Sequence, residues 1–102
     1  MYITSARFSF KSHDDKNNFI NILRGEDGLN VTRAWKGCYS IKVFEEQEKT
    51  SEIFILGEWE DKEAHESYMD MRKETGLFAA VVSTLNGGEQ GLEIKSYSDI
   101  GI

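Results

Sequence analysis

From Tyr2 to Phe10 polar and apolar positions alternate. Tyr2, Thr4, Ala6, Phe8 and Phe10 share one face, and Ile3, Ser5, Arg7 and Ser9 share the other, which is the period of a β-strand. The period then lengthens. Ser12-His-Asp-Asp15 supplies an N-cap with acid in the first turn, and Phe19, Ile20, Ile22 and Leu23 fall on one helical face until Gly25 and Gly28 break it. Leu29 to Trp35 fits a short helix or an extended connection equally well. Cys38 to Glu45 and Glu52 to Trp59 read as strands joined through the polar turn Glu46–Ser51. A helix is predicted from Asp61 to Lys73, and after a break at Glu74-Thr-Gly76 a second stripe follows at Phe78, Val81, Val82 and Leu85. Asn86-Gly-Gly88 ends it, and Leu92–Tyr97 is the last strand.

The predicted order is β-α-β-β-α-β, an α+β ferredoxin-like arrangement: one four-stranded antiparallel sheet with helices on one face. Strands two and three carry apolar residues on both faces, Tyr39, Ile41 and Val43 against Cys38 and Phe44, and Ile53 and Ile55 against Phe54 and Leu56. A sheet that is apolar on both sides needs a cover on the side without helices. A second copy packed sheet to sheet supplies one, so a homodimer is expected.

Composition narrows the function. At 102 residues, 39 % hydrophobic and 29 % charged, residues 1–102 form a single folded domain. A net charge of −6 with no Lys/Arg-rich window argues against nucleic acid and anionic membranes. No apolar run approaches the ~20 residues of a membrane span, and the N-terminus lacks the pattern of a signal peptide. One cysteine cannot form an internal disulfide, and a cytoplasmic location is expected. No Cys/His cluster has metal-ligand spacing, and Gly87-Gly88 runs into Glu89 rather than a phosphate loop.

The candidate chemistry gathers around Trp59. A large indole at a strand-helix junction either stacks on a flat ligand or fills the core. His65 and Tyr68 follow on one helical face. His65 is a candidate general base or an exposed helix residue beside Glu63 and Glu66; Tyr68 is a candidate partner for a substrate oxygen or a packing residue. Arg7 is a candidate anion holder, and Glu58 a candidate base or the ion-pair partner of Arg7. Cys38 reads as a small buried hydrophobe.

The strand Phe54-Ile-Leu-Gly-Glu-Trp59 running directly into Glu-Asp-Lys-Glu-Ala64 resembles the antibiotic biosynthesis monooxygenase superfamily, as do Lys36-Gly-Cys-Tyr39 and the closing strand Leu92-Glu-Ile-Lys-Ser-Tyr97. The resemblance implies a dimeric α+β barrel with a pocket between sheet and helices in each protomer. Members oxidise polycyclic aromatics or quinols with dioxygen and no cofactor, or bind and degrade haem, or have no assigned activity. Trp59 matches the family's pocket tryptophan, and Tyr68 falls where many members place His or Tyr. His65 lies one turn earlier, where others have an apolar or aromatic residue. The haem branch has an Asn and a His near the positions of Ala6 and Val81, so no proximal iron ligand is expected and haem ranks last. Aromatic-oxidising members often carry an Asn on strand three, where this chain has Ile53 to Leu56. The resemblance implies a cofactor-independent monooxygenase for a small aromatic or quinol-like compound; the residue types themselves assign Trp59, Arg7 and Glu58 to binding and His65 or Tyr68 to the proton. The alternative is a non-catalytic dimer that binds a small aromatic molecule.

Overall fold

A computed structural model describes residues 1–49 and 51–102. The elements run β1 (Tyr2–Ser9), α1 (His13–Arg24), α2 (Leu29–Ala34), β2 (Cys38–Glu45), β3 (Glu52–Trp59), α3 (Lys62–Glu74), α4 (Leu77–Val82), a single 3-10 turn (Gly88–Gly91) and β4 (Leu92–Ser98). The strands form one antiparallel sheet in the order β2-β3-β1-β4, the split arrangement expected of a ferredoxin-like α+β fold. The predicted turn Glu46–Ser51 includes Thr50, which lies outside the described residues.

Local chemistry explains the boundaries. Ser12 and Asp61 cap α1 and α3 by accepting from the amides of Asp15 and Ala64. Leu29–Ala34, open to two readings in the sequence, is a helix. Phe10, expected to close β1, instead makes an isolated bridge to Leu85. The register of β2 shifts between Cys38 and Ser40, a bulge that breaks strict alternation. Tyr39, which alternation would group with Ile41 and Val43, is 59 % exposed as a result.

Pairing of Tyr2 with Trp59, Thr4 with Gly57 and Ala6 with Ile55 puts these residues on the face covered by the helices. At one end of that face Phe10, Phe19, Ile53, Val81 and Leu85 form the buried core. Toward the other end the packing opens into a cavity. The uncovered face carries Ile3, Phe44, Phe54, Leu56 and Tyr97, interleaved with Arg7, Lys42, Glu58, Glu93 and Lys95. It is therefore mixed rather than uniformly apolar, although Phe44 and Tyr97 are about half exposed. Among the described residues no helix is long and apolar enough to cross a membrane.

Candidate functional site

The cavity lies between the sheet and the helices and measures about 130 Å³. Ala6, Ile55 and Ile94 of the sheet, Ile22 and Leu23 of α1, and Phe78 and Val82 of α4 give it an apolar wall. Its polar groups cluster where α2 and α3 meet β1 and β3: Thr4, Thr32, His65, Tyr68 and Arg72.

Two glycines make this corner possible. Gly37 sits at φ +89°, where a side chain is strained, and a Cβ there would lie 2.6 Å from that of Ala64. Its carbonyl accepts from the Glu60 amide at 2.7 Å, tying the start of β2 to the junction of β3 and α3. Gly57, inside β3, leaves room for the indole two residues on: a Cβ would fall 2.7 Å from Trp59 Nε1 and 2.9 Å from Thr4 Oγ1. Those two atoms form a buried hydrogen bond, Trp59 Nε1 donating to Thr4 Oγ1 at 3.2 Å. Gly57→Ala is accordingly expected to destabilise the fold by about 1–3 kcal/mol through overpacking. Urea titration followed by near-ultraviolet circular dichroism would report both the loss and the displaced indole.

Trp59 is only 1 % exposed. Its ring is flanked by His65 and Tyr68, each with its centroid 5.2 Å away. It forms the floor on which those two rings rest, and little of its face is open to a ligand. His65 also meets the Tyr2 ring at 5.9 Å. Burial pushes the His65 pKa below its ordinary value, and the nearby Glu66 carboxylate only partly offsets this, so the imidazole is neutral at neutral pH. Among the described residues no side chain hydrogen-bonds to it.

Tyr68 is held from several sides. Its hydroxyl lies 2.7 Å from Thr32 Oγ1 and accepts from Arg72 Nε at 2.8 Å. The Trp35 ring meets it edge-on at 6.1 Å, and the Trp35 indole N–H donates to Ser67. Arg72, 9 % exposed, also donates to the carbonyls of Asp27 and Gly28 and to Thr32 Oγ1. Thr32 and Arg72 complete the site although neither stands out in the sequence. The helical nature of Leu29–Ala34 was undecided, and Arg72 reads as an ordinary base in the last turn of a helix. Its place four residues after Tyr68 was the available signal.

Arg7 and Glu58 lie elsewhere. Both occupy the uncovered face of the sheet, outside the cavity wall. Arg7 is half exposed and faces Glu93 at 3.6 Å, not Glu58. Arg7 pairs with Phe54 and Glu58 with Ile3, which separates the two by four residues, roughly 13 Å, along the strand. The alternating period of β1 separates them from Thr4 and Ala6 on the cavity side. Burial raises the Cys38 thiol above its ordinary pKa, outweighing the Ser40 backbone and Arg33, so it stays protonated. Ala6 and Val81 both line the cavity and present hydrocarbon to it. Among the described residues no group of three or more His, Cys, Asp or Glu is placed to hold a metal ion.

No curated protein matches this chain significantly. Solved structures do. A conserved protein from Methanosarcina mazei superposes with a TM-score of 0.79 at 18 % identity, covering 96 % of this chain and 91 % of that one. A monooxygenase from the gene ActVA-Orf6 of Streptomyces coelicolor, in complex with nanaomycin D, gives 0.76 at 14 % identity over 99 % and 88 %. SnoaB, a cofactor-independent oxygenase from Streptomyces nogalater, gives 0.74 at 10 % identity over 99 % and 94 %. At such identities the likeness establishes the fold. The sequence profile described as antibiotic biosynthesis monooxygenase matches residues 1–75, which include β1, β2, β3 and the whole of α3. The chain belongs to the antibiotic biosynthesis monooxygenase family.

Proposed function

We propose that this protein is a monooxygenase acting on a single-ring phenol or hydroquinone held in the cavity, with the substrate supplying the electrons and no bound cofactor. The observation that carries this reading is the convergence of a neutral imidazole, His65, and a fixed hydroxyl, Tyr68, on one apolar cavity. A volume of about 130 Å³ suits one six-membered ring, since an apolar cavity of about 150 Å³ accepts benzene. His65 would take a phenolic proton, and the electron-rich anion would react with dioxygen. One oxygen atom becomes bonded to the ring and the other leaves as water. A hydroquinone thus becomes a hydroxyquinone, the four electrons coming from the ring. The hydrocarbon wall keeps bulk water from the anion. That relatives of the same fold include a cofactor-independent oxygenase and a monooxygenase with a bound small molecule supports the reading.

Oxygen uptake with single-ring hydroquinones and catechols, run under isotopically labelled dioxygen, tests it. The expected product carries one labelled oxygen, with label also in water. A panel that gives no uptake above the protein-free rate refutes the reaction for these compounds.

A second reading, binding without turnover, is favoured because among the described residues no side chain hydrogen-bonds to His65 to fix its tautomer. It predicts ligand binding without oxygen consumption.

We propose further that a second copy covers the outer sheet face through Ile3, Phe44, Phe54, Leu56 and Tyr97. Light scattering at micromolar concentration would return twice the mass of 11.7 kDa, and a stable monomer contradicts it. A chain with a single cysteine suits a reducing compartment, and we place it in the cytoplasm.

A further inference from the structure

Eighteen acidic residues contribute to this chain's net charge of −6, yet among the described residues no Asp or Glu lines the cavity. The titratable and charged groups on its wall are His65, Tyr68 and Arg72, all on α3; α1, α2, α4 and the sheet contribute none. With His65 neutral, Arg72 carries the only formal charge among the described residues of the wall. A buried guanidinium ordinarily faces a carboxylate, because an unbalanced charge away from water is costly. Arg72 faces none among the described residues. Its hydrogen bonds run to the carbonyls of Asp27 and Gly28, the hydroxyl of Thr32 and the hydroxyl of Tyr68. These neutral oxygens orient the cation without cancelling its charge.

The Tyr68 oxygen accepts from Arg72. The single proton of the Thr32 hydroxyl has two acceptors in reach, the Gly28 carbonyl at 3.5 Å and the Tyr68 oxygen at 2.7 Å, and the shorter contact lets it donate to Tyr68. In that arrangement the Tyr68 proton is free to point into the cavity. A ligand oxygen would then meet a hydroxyl donor backed by a positive charge in a low-dielectric site, where such interactions are strong.

We propose that the cavity selects aromatic ligands in their ionised form: a single ring whose phenolate oxygen accepts from Tyr68 and balances Arg72. Arg72 acts through Tyr68 and is a positioning and specificity-determining residue, whereas Arg7 lies on the opposite face of the sheet. This deepens the proposed function and rests on its identification of the cavity as the ligand site, but it concerns binding alone.

Para-nitrophenol is a suitable probe, because its phenolate absorbs at longer wavelength than its neutral form and its ionisation can be read while bound. With the wild-type protein, the bound probe should titrate at least one pH unit below the free probe, equivalent to at least tenfold tighter binding of the phenolate. Para-nitroanisole, which has no ionisable hydroxyl, should bind at least tenfold more weakly than the phenolate. Arg72→Lys should keep part of the shift, and Arg72→Met, if folded by circular dichroism, should lose it. An unshifted or raised bound pKa, equal binding of nitroanisole, or no binding up to the probe's solubility limit overturns the proposal. Since nothing is turned over, the outcome is independent of the oxygen-uptake test: phenolate selectivity without oxygenation rejects the reaction, and oxygenation without selectivity rejects the role of Arg72.

Discussion

Trp59→Ala is expected to destabilise the protein by about 3–5 kcal/mol, the usual range for removing a large buried aromatic. Two losses combine. The indole, 1 % exposed, supports both the His65 and the Tyr68 rings, so its removal leaves a hole beneath them. Thr4 Oγ1, itself buried, loses the donor that satisfies it. For a domain whose total stability is of order 5–15 kcal/mol, this is a large share. At roughly 4–8 °C per kcal/mol for domains near this size, the melting temperature should fall by tens of degrees. Trp59→Phe keeps an aromatic ring and separates the two effects, and should cost about 1–3 kcal/mol through the unsatisfied Thr4 hydroxyl. A melting temperature unchanged in Trp59→Ala would mean that the indole is not the floor of the site.

The largest effect on turnover is expected from His65→Ala. Loss of a positioned proton acceptor typically costs about 10²–10⁴-fold in rate, and kcat/KM for hydroquinone oxygenation should fall by that factor. The pH profile supplies an independent sign. Burial favours the neutral imidazole, so the folded-state pKa lies below the ordinary value near 6.5. Activity should therefore hold steady from neutral pH down through that value and decline only below it, and His65→Ala should lose this acid limb. Stability carries the same signature. As pH falls below about 6.5 the unfolded chain binds a proton at His65 before the folded chain does, so stability declines through that window. An acid limb above 6.5, or one retained in His65→Ala, assigns the proton transfer to another group.

Secondary structure was largely legible in the sequence because periodicity and caps agreed. Cys38–Glu45 and Glu52–Trp59 are strands with the expected bounds, and Ser12 and Asp61 cap as read. Leu29–Ala34 was not legible: six residues give too few turns for a helical stripe, and its cap position is Gly28, with no side chain to signal it. The β2 bulge was hidden because one extra residue changes no composition. Around the site, helical spacing was enough to bring His65 and Tyr68 to Trp59. The meeting of Thr32 with Arg72 carries no such signal, because it runs only through side-chain hydrogen bonds between α2 and α3, 40 residues apart in the chain. Arg7 and Glu58 stood out because charge in an apolar strand is unusual. Pairing of β1 with both β3 and β4 puts them on the face away from the helices and gives Arg7 a different acid, Glu93.

The account stands on the helix-covered side of the sheet being where an aromatic ring binds. Titrating isotopically labelled protein with hydroquinone under anaerobic conditions, and following amide and indole resonances, tests this most directly. The predicted result is saturable shifts at the Trp59 indole N–H and at the amides of Ala6, His65, Tyr68 and Ile94, with Arg7, Phe44 and Glu58 unmoved. Shifts confined to Arg7, Phe44 and Glu58, or none at saturating ligand, would contradict it.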